Sequence, residues 1–168
     1  MIAKYRGTSE MLALAGACIL TCASSAPAYA SNSALISSEL AGTWQVQVAL
    51  HNCQSGAAIG APFYSLLTFA DGGTLTETTA NAMFFPAIRG PGHGVWSRNS
   101  RGNYSAASIA FITMNGALVK TQKISQTIVM GPGPYEFTTP QADIQFFDPA
   151  GNLLMTGCAT AVGTRFAQ

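Results

Sequence analysis

Few side chains in this sequence can do chemistry, and their spacing narrows what that chemistry would be. Glu77 lies two residues after Leu75 in the strand-like run Thr74-Leu75-Thr76-Glu77, so an inward Leu75 implies an inward Glu77. A carboxylate inside an apolar shell needs a partner, because an unpaired buried charge is heavily penalised. Tyr104, Arg89 and His93 are the candidates; a twisted short strand would instead leave Glu77 as a surface charge. His93 sits in Gly90-Pro91-Gly92-His93-Gly94, where it could donate to a ligand, move a proton, or satisfy loop carbonyls. Glu77 and His93 are thus the two groups on which an isomerase or cyclase would rest its proton transfers. By alternation His93 shares a face with Val95, while Trp96 and Arg98 take the other. His51 falls on the face opposite Trp44 and reads as an exposed strand end. Two histidines without His-x-His or Asp-x-Asp spacing make a poor metal site, so neither a metal nor a cofactor is expected. Without Gly-x-Ser-x-Gly, a P-loop or Gly-x-Gly-x-x-Gly opening a helix, hydrolase, NTPase and dinucleotide readings lack support.

The elements that would position these groups are strands. The apolar and turn pattern predicts them over 42–51, 63–70, 74–79, 93–98, 103–113, 117–129, 135–147 and 152–165. The first alternates most clearly, with Trp44, Val46, Val48 and Leu50 on one face and Gln45, Gln47 and His51 on the other. Turns follow from Asp71-Gly72-Gly73, Asn99-Ser100-Arg101-Gly102, Asn115-Gly116, Gly131-Pro132-Gly133-Pro134 and Asp148-Pro149-Ala150-Gly151, whose residues accept hairpin backbone angles. Residues 34–41 allow at most a short lead-in helix.

Numbers of partners in an antiparallel pair sum to a constant. Trp44 with Arg165 gives 209 and Cys53 with Cys158 gives 211, one diagonal step apart. The first and last strands therefore pair, and the expected fold is all-β: a single antiparallel eight-stranded up-and-down β-barrel without free edges. In such a barrel the two longest connections, 52–62 and 80–92, fall at one end and mark it as open. Within the second, Met83-Phe84-Phe85-Pro86 is unusually apolar and reads as a core plug, a lid over a guest, or a contact for another chain. The ligand-binding candidates are Tyr64, Phe84, Phe85, Trp96 and Tyr104, aromatic groups that could wall an apolar guest.

Residues 1–30 read as an export signal. Lys4 and Arg6 precede the short apolar run Met11 to Leu20, and Ala28-Tyr29-Ala30 offers a cleavage site before Ser31. Residues 31–168 would form the mature domain, secreted or periplasmic, with no integral membrane segment. That part loses two of the eight basic residues and one of the seven acidic ones, leaving six of each and no net charge. Nothing in it would neutralise phosphates, so nucleic acid is not an expected partner. Cys53 and Cys158 alone remain, where thiols oxidise, and are expected to form a structural disulfide. Their spacing fits neither a redox motif nor a zinc site.

The Gly42-Thr43-Trp44 start of the first strand, the late Arg165 and the eight-strand meander resemble the lipocalin and wider calycin barrels. That resemblance implies a closed end plugged by stacking of Trp44 with Arg165, and a small, largely apolar ligand inside. The allene oxide cyclase type of barrel is similar at the level of fold. The expected function is an exported binding barrel; the alternatives are an isomerase or cyclase using Glu77 or His93, and a protein-interaction or inhibitor barrel using the 80–92 loop.

Overall fold

The computed structural model describes residues 38–166; the expected export signal lies outside the described residues. Eight strands follow one another: β1 (Gly42–His51), β2 (Phe63–Ala70), β3 (Thr74–Ala80), β4 (Ile88–Arg98), β5 (Tyr104–Met114), β6 (Ala117–Met130), β7 (Glu136–Phe147) and β8 (Leu153–Arg165). Each pairs antiparallel with the next, and β1 pairs with β8, closing the barrel. The closing register places Trp44 opposite Arg165 and His51 opposite Cys158. Cys53, just past the end of β1, reaches Cys158 diagonally, and the disulfide straps the first strand to the last across 105 residues.

Large inward side chains gather at one end. Leu40, Trp44, Phe69, Tyr104, Ile128 and Phe137 form a buried cluster there, with Trp44 and Phe137 edge to face at 4.9 Å. The Arg165 guanidinium lies 4.3 Å from the Trp44 ring centroid and donates to the carbonyls of Glu39, Ala41 (2.7 Å) and Pro134 (2.7 Å). The cation–π contact contributes about 0.5–2 kcal/mol, and the three carbonyls fix the guanidinium over the ring. Trp44 Nε1 donates to the Leu40 carbonyl at 2.9 Å, so the plug leaves no indole N–H unsatisfied. Gly42 opens the strand because its φ of 130° is unfavourable for any side chain and because a Cβ there would lie 2.6 Å from Arg165 Nη1. The Gly-x-Trp opening thus has a steric cause in the guanidinium that covers it.

Seven strands end within a residue of their expected bounds, and β4 departs from the pattern. It begins at Ile88 rather than 93 and absorbs the Gly-Pro-Gly stretch, with a register shift between Arg89 and Gly92. The 80–92 connection is therefore shorter than expected, and includes one 3₁₀ turn (Ala82–Phe84) capped by the Asn81 side chain, which accepts from the Met83 amide at 2.9 Å. Of the lead-in segment, 34–37 lie outside the described residues and 39–40 form a turn.

Candidate functional site

Beyond the large side chains of the plug, the inward positions shrink to Ser65, Ala142, Ala159 and Ala161, all buried and all bordering an internal space. Small side chains on the inner face of a barrel of fixed circumference leave space. The space is a cavity of about 370 Å³, walled by apolar groups such as Val46, Val48, Leu67, Ile112 and Ile144. At the end carrying the long connections it is bordered by His51, Ile59, Met83 and Phe84.

One polar cluster interrupts this wall. Glu77 faces inward with only 6% of its side chain exposed, and Arg89, at 2%, meets its Oε1 through Nη2. Ser108 Oγ donates to the same oxygen at 3.1 Å. Arg89 Nε donates to Gln122 Oε1, and Nη1 to its neighbour's carbonyl, Gly90 O, at 3.2 Å. The β4 bulge makes the pair feasible. Arg89 and Gly92 differ in parity, yet they oppose Ile112 and Ala110, two residues of the same inward face of β5. A side chain at Gly92 would occupy the space of the Glu77 carboxylate, and one at Gly94 would lie 2.7 Å from Ser108 Cα. Gly92 thus leaves the room that the ion pair needs, and Gly94 lets β4 approach the β5 backbone beside Ser108.

The expected site residues separate into groups. Glu77 borders the cavity and Phe84 stands at its mouth. Phe85, 86% exposed, turns away from it. Tyr64 is exposed on the outer face opposite Gln47, because the inward positions of β2 are Ser65, Leu67 and Phe69. Trp96 and Tyr104 face inward but belong to the plug, 5.7 Å apart, and neither borders the cavity. The Tyr104 hydroxyl accepts from Ser38 Oγ at 2.9 Å, so it is not a partner of Glu77. His93 is exposed on the outer face, opposite Thr76 and Ile109, and does not border the cavity. His51 does border it, at the end of β1. Of the three partners considered for Glu77, the structure brings only Arg89 to it.

Ser108 and Gln122 escaped the sequence reading. Ser108 shares parity with Tyr104, Ala106 and Ala110, so alternation along β5 carried its signal; Gln122 lies in a polar strand whose register against β5 only the pairing reveals. Among the described residues no three His, Cys, Asp or Glu side chains converge to hold a metal ion, and no helix is long and apolar enough to cross a membrane. Compared with known protein families and curated proteins, the sequence matches no family model and no curated protein.

Proposed function

We propose that this chain is an exported barrel that binds a small, largely apolar molecule in its interior, in the manner of the calycin barrels it resembles. The observation that carries the reading is the cavity. Its volume of about 370 Å³ falls within the roughly 300–1,000 Å³ of small-molecule sites, which pair apolar walls with a few convergent polar groups. The placement of the Trp44–Arg165 plug at the opposite end from the long connections supports entry of a guest past Met83 and Phe84. Residues 1–30, as an export signal, and the disulfide support a destination where thiols oxidise.

Neither tryptophan borders the cavity, so intrinsic fluorescence is a poor reporter. Displacement of Nile red by a panel of fatty acids, terpenoids and aromatics, with stoichiometry from native mass spectrometry, tests the reading. Saturable one-to-one binding is expected; no binding across the panel contradicts it.

The inward position of Glu77 favours a second reading, an isomerase or cyclase in which this carboxylate moves a proton while the walls hold the substrate's conformation. His93 has no part in it, since it faces outward. Turnover of a bound unsaturated substrate, abolished by Glu77→Gln with binding retained, would distinguish this reading from simple binding.

A further inference from the structure

The polar cluster in the cavity has a defined hydrogen-bonding valence. Each Arg89 nitrogen is engaged once: Nε donates to Gln122, Nη1 to Gly90 and Nη2 to Glu77. Its charge is met by Glu77 within the same buried pair, so the cluster as a whole is neutral. Glu77 accepts both its bonds, from Arg89 and Ser108, at Oε1. Gln122 is held by Oε1 as acceptor, which directs its Nε2 amide hydrogens elsewhere. Glu77 Oε2 and Gln122 Nε2 have no partner among the described residues. No buried side-chain nitrogen or oxygen among those residues lacks a partner, so both atoms must keep some accessible surface. The space that Glu77 and Gln122 both border is the cavity.

We infer that the guest is an uncharged apolar molecule bearing one hydroxyl group, which donates to Glu77 Oε2 and accepts from Gln122 Nε2. This assignment rests on the binding function proposed above and names the class of molecule bound. A hydroxyl is the smallest group that supplies one donor and one acceptor at a single atom. A carboxylate guest would bring a second negative charge against Glu77, whose own charge already matches that of Arg89. An ammonium guest would find Glu77 already neutralised. An ether would accept from Gln122 but leave Glu77 Oε2 desolvated without a donor, which costs about 1–3 kcal/mol or more for a charged acceptor and corresponds to roughly a 5- to 150-fold loss of affinity. The surrounding Val48, Ile112 and Ile144 add affinity for the apolar frame without regard to its head.

The test holds the frame constant and changes the head. Affinities of the full-length domain for n-decanol, n-decanoate, n-decylamine and n-decyl methyl ether are measured by competition with Nile red. The alcohol is expected to bind at least about tenfold more tightly than the other three. In Gln122→Met, the alcohol and the ether are each expected to lose about 2- to 12-fold in affinity while the alcohol keeps its advantage, because only the bond to Glu77 Oε2 separates them. If all four bind the unaltered protein within about twofold of one another, or the carboxylate or amine binds best, the head-group assignment is wrong and the binding function stands. If none of the four binds, both are wrong. The comparison on the unaltered protein decides the matter even if Gln122→Met does not fold.

Discussion

Replacing Arg89 by Met should be among the most damaging single substitutions in this barrel. The change leaves the side-chain volume nearly intact but strands the Glu77 carboxylate, 94% of whose side chain is out of reach of solvent. Ser108 alone would remain to donate to it among its present partners. Removing one member of a buried pair costs about 3–5 kcal/mol, because the uncompensated charge stays desolvated. For a domain of this size that corresponds to a fall in Tm of roughly 10–20 °C. The companion variant, Glu77→Leu with Arg89→Met, removes both charges and should recover stability to within about 1 kcal/mol of the parent, since apolar replacement of a whole buried pair is often neutral or better. Gln122 borders the cavity, so losing Arg89 does not seal it without a partner. Equilibrium urea unfolding of the three proteins, with the Cys53–Cys158 disulfide kept oxidised, measures both quantities. A loss below about 1 kcal/mol for Arg89→Met, the range of an exposed pair, would refute the burial argument. So would a double variant no more stable than the single one.

Three other outcomes are expected. Opening the disulfide by Cys53→Ser and Cys158→Ser together releases a 105-residue loop, and should lower unfolding free energy by up to about 4–5 kcal/mol on the chain-entropy account, read from the urea midpoint. Gly42→Ala should displace the guanidinium of Arg165 and force a side chain to positive φ, costing about 1–3 kcal/mol by the same assay. The Asp148 carboxyl is held below the usual carboxylate range, first by the Asn152 side chain at 2.9 Å and then by backbone amides. Because its folded-state pKa lies below the unfolded one, these bonds stabilise the fold above the ordinary carboxylate pKa, and that stabilisation is lost as pH falls through the lowered value. Asn152→Ala should raise the Asp148 pKa toward its ordinary value in a carboxyl ¹³C NMR titration; an unchanged pKa would remove Asn152 as the main cause.

Closure of the barrel was legible because it is written in pairs of distant residues. Trp44 and Arg165 lie directly opposite each other, and Cys53 and Cys158 meet one diagonal step away, so simple register arithmetic located the seam. Alternation tied Glu77 to the face of Leu75 but left open whether a twisted short strand would carry it to the surface; both side chains are buried. What escaped notice depends on a local exception to that alternation. The bulge at 90–91 turns Arg89 inward while His93 remains outside, and Gly-Pro-Gly reads more naturally as a loop than as the strand it joins. The division between plug and cavity was hidden too. Trp96 and Tyr104 have the aromatic character of ligand walls, but their height along the barrel puts them with Phe69, beneath the space a guest would use. Alternation gives the face of a side chain; its depth follows from strand stagger, which the sequence carries only through pairing.

Methyl-resolved NMR during titration with n-decanol tests most directly whether this barrel encloses a usable interior. The account predicts saturable shifts at Val46, Val48, Ile112, Ile124 and Ile144, which border the cavity, and none at Val95 and Ile109, exposed on the outer face. Shifts confined to the outer-face methyls, or no shifts at alcohol saturation, would contradict it.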